Sequence, residues 1–174
     1  MRAAFGAALL ALALPCAALA EPVTVTVAWD YRNFAEPVEL FEPRDDARLW
    51  SMRSVAKLDD APVAGPMAGS SFALEPGGRK RFVLVVRNPT GAPLYFFAAP
   101  HAVDPVEDAL GFKFKCLCVD HAYAVGPGEI WYRVVEFRLD PAFAGHALTA
   151  THSIVGIDRA RAEAFSKPPG PADF

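Results

Sequence analysis

Residues 22–29, PVTVTVAW, alternate apolar and polar without a break. Val23, Val25, Val27 and Trp29 fall on one side and Thr24 and Thr26 on the other, the period of a half-buried β-strand. Residues 30–47 are polar apart from a short apolar patch at 38–41 and read as a connection. Residues 49–58 read as a strand. Residues 59–71 are rich in Pro, Gly, Ala and Ser and read as a loop. The pattern resumes at Phe72, and Glu75-Pro76-Gly77-Gly78 is a turn. Residues 82–86, FVLVV, are continuously apolar and β-branched, which predicts a central strand covered on both faces.

Asn88-Pro89-Thr90-Gly91-Ala92-Pro93 predicts a hairpin-like turn, with a strand at 94–98 after it. Residues 103–110 read as a polar connection and 112–118 as the next strand. Val125-Gly126-Pro127-Gly128 is a further turn. Residues 130–139 alternate again, with Val135, Phe137 and Leu139 inward and Glu136 and Arg138 outward, and Asp140-Pro141 ends the run. A last strand is expected at 148–157, a short helix at 158–165, and a disordered tail at 166–174. About seven or eight short strands with turn signals roughly every ten residues, and no long helix, predict an all-β protein: an antiparallel, immunoglobulin-like β-sandwich. The Cys-Trp-Cys signature of antibody domains is absent, and no internal repeat is visible.

The first residues, MRAAFGAALLALALPCAALA, break this picture. Arg2 supplies a positive start, residues 3–14 an apolar core, and Ala18-Leu19-Ala20 a small-x-small site before Glu21. This predicts a cleaved signal peptide at 1–20, a domain at 21–157, and a periplasmic location. The alternative, an uncleaved N-terminal anchor, is disfavoured by its short alanine-rich length and by Pro15. Cys16 follows Leu14-Pro15 rather than the small residue of a lipoprotein signal, so it is expected to leave with the signal. A net charge of −3 and the lack of a basic stripe argue against nucleic acid as a partner. No G-x-S-x-G, H-E-x-x-H or phosphate-binding glycine loop points to an enzyme.

Cys116 and Cys118 are then the cysteines of the mature chain, spaced C-x-C. Three bland readings stand beside a metal site. Phe112, Phe114, Cys116 and Cys118 share parity, so in a regular strand both thiols point to the core and act as small apolar groups. Extended i and i+2 Cα atoms lie about 6.6–6.8 Å apart, the upper limit for a disulfide, so a bridge would be strained. Thiol-disulfide enzymes use C-x-x-C at a helix start, which is not signalled here. Against these, thiolate sulfur is a soft ligand that selects Cu(I), and residues i and i+2 of a strand share a face. The metal reading needs the strand to reach the rim or to break its parity before the cysteines. His121 is the nearest further ligand. His101, His146 and His152 are isolated in sequence, and His152 reads as a satisfied sheet histidine. Met52 and Met67 are too sparse for a methionine-rich site, and Trp131 and Tyr132 read as packing residues.

The segment RNPTGAPLYFFAAPHAVDPVEDALGFKFKCLC resembles the periplasmic domain of the CtaG-type cytochrome c oxidase assembly proteins. Shared motifs are Asn88-Pro89-Thr90, the Val-x-Pro of Val103 and Pro105, an aromatic and lysine strand running into C-x-C, Pro127-Gly128-Glu129, and Asp140-Pro141-Ala142-Phe143-Ala144. Ser153-Ile154 matches a late strand, so the resemblance covers about residues 80–157. It implies an immunoglobulin-like sandwich that binds Cu(I) through Cys116 and Cys118, often across a dimer, and delivers it to the CuB centre of haem-copper oxidase. The chain departs from the family in having C-L-C-V where C-F-C-F is usual. His121 stands near the place of the usual polar residue, the spacing to Pro-Gly-Glu is one residue longer, and the segment 45–71 has no counterpart. The family's membrane anchor is followed by a further cysteine, and here the only N-terminal cysteine is Cys16.

The combined expectation is a Cu(I) carrier and not an enzyme. Its partner would be a copper-accepting protein such as an oxidase subunit, with a metal-bridged homodimer when loaded. The alternatives are a structural or interaction sandwich with packed or oxidised cysteines, and a thiol reductase for a copper site.

Overall fold

The computed structural model describes residues 21–115, 117 and 121–166. The expected signal peptide at 1–20, most of the expected tail (167–174), and Cys116, Cys118, Val119 and Asp120 lie outside the described residues. In chain order the elements are β1 (Val23–Arg32), β2 (Glu39–Pro43), β3 (Met52–Val55), β4 (Val63–Pro66), β5 (Ser71–Leu74), β6 (Arg79–Arg87) and β7 (Leu94–Ala98). They continue with β8 (Ala102–Asp104), β9 (Phe112–Phe114), β10 (Tyr123–Val125), β11 (Ile130–Leu139), β12 (Ala147–Ile157) and α1 (Arg159–Phe165).

The strands form two 6-stranded sheets. One runs β10-β7-β12-β1-β5, with β8 also on β12. The other runs β3-β11-β6-β2-β4, with β9 also on β11. The protein is the all-β sandwich that the alternation predicts. The pairings are antiparallel except that of β1 with β12, which run parallel from Thr24 beside Ala147 to Arg32 beside Val155. Sequence gives no sign of this pairing, because the two strands lie at opposite ends of the domain.

The main core lies between the sheets. Val23, Val25, Val27, Phe96, Leu148 and Ile154 enter it from one side and Phe82, Leu84, Val86, Val135 and Phe137 from the other. Trp29 is half-buried and packs against its edge. The helix forms as expected, and the side chain of its N-cap, Asp158, accepts a hydrogen bond from the backbone N–H of Arg161.

Several stretches differ from the expectation, and the strand expected at 49–58 is confined to Met52–Val55. The patch at 38–41 contributes to β2, whose register with β6 (Phe41 beside Val83) is a long-range pairing. Residues 59–71 are not one loop. They hold part of a one-turn 3-10 helix at Leu58–Asp60, then β4, and then the start of β5. The connection at 103–110 includes part of β8. Glu136 is buried and not outward in solvent, at 1% exposure.

The order within residues 59–71 follows from the outer face of the sheet. The outer face of the β11-β6 sheet carries its own apolar cluster of Phe41, Val83, Val85, Ile130, Tyr132 and Val134. Residues of the chain between β2 and β4, among them Ala47, Leu49, Val55 and Leu58, pack on it. This explains why all of FVLVV is buried. Phe82, Leu84 and Val86 face the main core, and Val83 and Val85 face the second one. Part of the segment without a counterpart in the resembled family is thus a cover for the outer face.

Candidate metal centre

β9 pairs with the end of β11, Phe112 beside Leu139 and Phe114 beside Phe137, in one sheet. β10 pairs with β7, at the edge of the other sheet. The chain therefore passes from one sheet to the other between Phe114 and Tyr123, an interval whose sequence includes the C-x-C motif. The strand expected at 112–118 stops at Phe114. Phe112 and Phe114 are buried and Lys113 and Lys115 exposed, as alternation requires. Continued alternation would then put Leu117 outward with the lysines. Instead Leu117 is fully buried, at 0% exposure, within the main core. The parity that assigned both thiols to the core is broken between Lys115 and Leu117. Cys116 and Cys118 themselves lie outside the described residues.

Leu117 is also held by its backbone. The phenol of Tyr123 donates to the Leu117 carbonyl at 3.0 Å, and Arg133 Nη1 donates to the same phenol oxygen at 2.8 Å. Arg133 stands opposite Leu84, and both its neighbours on the inner face of β11, Trp131 and Val135, belong to the main core. The alternation that points Val135 and Phe137 inward points Arg133 inward as well, which brings a guanidinium to this face. Its Nε is buried and has no hydrogen-bond partner among the described residues.

Two histidines read as isolated are brought together. The rings of His101 and His152 meet edge to face with centroids 5.1 Å apart. His152 is fully buried, stacked on Trp29 at 5.5 Å and against Phe114 at 5.4 Å. His101 lies against Phe112 at 5.4 Å. The topology explains the meeting. β12 pairs with β8 over 149–151 and with β7 over 154–157, which leaves His152 between them. The link from β7 to β8 spans that gap, with Ala99 N–H donating to the Ser153 carbonyl at 2.9 Å, and it carries His101. The ring of Phe114, two positions before Cys116, thus touches the histidine pair. His121 packs its ring on Tyr123 at 5.2 Å.

His146 is exposed at the start of the last strand region, Met52 is exposed on β3, and Met67 packs against the core. Trp131 and Tyr132 are buried packing residues, one in each core. Among the described residues no three His, Cys, Asp or Glu side chains converge into a metal-binding group.

The turns around the crossing segment are firmly built. Buried Asn88 donates through Nδ2 to the carbonyls of Ala92, Val125 and Gly126 at 2.8–3.0 Å, and its Oδ1 accepts from Thr90 N–H and Oγ1. Its backbone N–H donates to the Glu129 carbonyl at 2.9 Å, and Glu129 Oε2 accepts from Gly126 N–H. The Asn-Pro-Thr and Pro-Gly-Glu motifs, far apart in sequence, form one cluster at the end of the sandwich.

A family model described as "Domain of unknown function (DUF8709)" matches residues 23–157, and the chain belongs to that family. No curated protein matches the chain. Among the described residues no helix is long and apolar enough to cross a membrane.

Proposed function

We propose that this member of the DUF8709 family is a periplasmic Cu(I) carrier that holds the ion through Cys116 and Cys118. The observation that carries the reading is the position of Leu117. Its burial ends the alternation that would have made both thiols core residues. Arg133 adds support. Its guanidinium reaches the Leu117 carbonyl through one phenol, which ties a cation to the residue between the two cysteines. The His101–His152 pair beside Phe114 offers imidazole nitrogen as a further donor, which suits copper as thiolate does.

Transfer in this reading is ligand exchange. A donor sulfur of the acceptor adds to the ion to give a three-coordinate intermediate, and a thiolate of the carrier leaves. The acceptor thiol releases a proton on binding, and the departing thiolate takes one up. The oxidation state of copper does not change. The motifs shared with the CtaG-type proteins favour a haem-copper oxidase subunit as the acceptor. With one C-x-C pair per chain, two chains share copper in the loaded state.

Anaerobic titration with Cu(I) against a competing chromogenic chelator tests this. The parent protein is expected to compete, and either Cys116→Ser or Cys118→Ser to lose most of the affinity, because a hydroxyl is a hard replacement for a soft thiolate. Light scattering is expected to show a dimer only with copper. A Cys116→Ser/Cys118→Ser double variant that binds as tightly as the parent refutes the carrier and leaves the structural sandwich.

A further inference from the structure

The outer face of the β3-β11-β6-β2-β4 sheet is only half covered. Where Val83, Val85, Tyr132 and Val134 stand, the chain between β2 and β4 packs over them. The other half is bare and cationic. Arg138 lies between Arg79 on β6 and Lys113 on β9, and Arg81 lies beside Glu136. Lys115 follows at the end of β9. All these cations are exposed.

A cleft of about 450 Å³ opens there, lined by Trp50, Lys113, Lys115, Glu136 and Arg138. Its one carboxylate, Glu136, is fully buried and already bonded to Arg81 at 2.9 Å and to Arg138. Lys113, Lys115 and Arg79 have no ion-pair partner among the described residues. The surplus of positive charge is therefore local, on a chain whose net charge is −3. Sequence showed no basic stripe because these residues come from three strands.

Trp50 forms the wall next to the covered half. It is 39% exposed and has φ +70, a conformation that a bulky residue rarely adopts. Its N–H donates to the Val134 carbonyl at 3.0 Å, which holds the ring at the cleft. Tryptophan and arginine, here Trp50 and Arg138, are enriched in protein-binding surfaces. Positive potential focused in a cleft steers an acidic partner to it.

We propose that this half-face is a docking site for an acidic segment of a partner protein. Lys113 stands on β9 and Lys115 just after it, one residue before Cys116 in the chain. Naming that partner as the copper acceptor rests on the carrier reading, while the binding of an acidic segment does not.

The probe is a short fluorescein-labelled poly-glutamate peptide, titrated into the metal-free full chain with anisotropy as the readout. Binding is expected at low salt and should weaken markedly at about 0.15 M, where exposed charges are screened within about 8 Å. Lys113→Glu/Lys115→Glu is expected to lower affinity about tenfold or more, Lys113→Gln/Lys115→Gln by less, with thermal melts unchanged for both. The peptide should shift tryptophan emission in the parent and not in Trp50→Phe.

Equal binding by the charge-reversed variant overturns the site. So does binding of phosphatidylglycerol vesicles without binding of the peptide, which would make the patch a membrane contact, or displacement of the peptide by equimolar inorganic phosphate. The Cys116→Ser/Cys118→Ser chain should bind the peptide like the parent. Loss of copper binding with peptide binding retained then fails the carrier alone, and the reverse fails the docking site alone.

Discussion

The phenol of Tyr123 donates to the backbone carbonyl of Leu117 at 3.0 Å, across the segment that contains the C-x-C motif. The same oxygen accepts from Arg133, so one hydroxyl ties the crossing segment to β11 in the other sheet. Tyr123→Phe should therefore cost about 1–3 kcal/mol, the usual penalty for leaving buried polar groups without their partner. Denaturant melts would measure it. If the carrier reading holds, the variant should also bind Cu(I) more weakly than the parent. Unchanged stability would mean that water replaces the hydroxyl.

Glu136 makes stability depend on pH. Burial pushes its carboxyl up, but hydrogen bonds and charge from Arg81 and Arg138 outweigh burial and hold it below the ordinary value of 4.5. The folded state thus binds fewer protons than the unfolded one in this range. The stabilisation is fully present above pH 4.5 and is lost as pH falls through the lowered folded value. Glu136→Gln should be less stable than the parent at neutral pH and lose less on acidification. Parallel curves for the two proteins below pH 4.5 would contradict this.

Trp29 is the half-buried end of the β1 alternation, and its ring stacks on His152. Full burial of tryptophan sets the loss on truncation at 3–5 kcal/mol, so Trp29→Ala should lie at the lower end, about 3 kcal/mol. Chemical denaturation checks the magnitude. A loss under about 1 kcal/mol would mean that the edge collapses around the gap.

His101 and His152 separate donor from scaffold. His152 is fully buried, and His152→Ala should destabilise the fold. His101 is half-buried, so His101→Ala should leave the melt nearly unchanged while lowering Cu(I) affinity and removing nitrogen from the copper X-ray absorption signal. If affinity and spectrum stay as in the parent, the histidine pair is packing only, and His121 becomes the candidate donor to test.

Much of the candidate site was legible because soft thiols at C-x-C spacing are a local feature. Its surroundings were not. Arg133 shares the inward parity of Val135 and Phe137, but its contact with Tyr123, and through it with Leu117, exists only in the fold. His101 and His152 carry no local sign of each other, since they meet only where β7 and β8 leave a gap on β12.

Sequence by itself determined the strand period and hence the sandwich. A strand that buries one face must repeat every second residue, and β1, β7, β11 and β12 record this in their own side chains. It also determined that FVLVV is covered on both sides, since no solvent-facing strand tolerates five such residues in a row. Tertiary structure alone decided what does the covering, namely the chain between β2 and β4. It decided the parallel closure of β1 on β12, the burial of Glu136 between two arginines, and the inward turn at Leu117. Each of these depends on a neighbour far along the chain, and a local pattern records that a face is buried without recording what buries it.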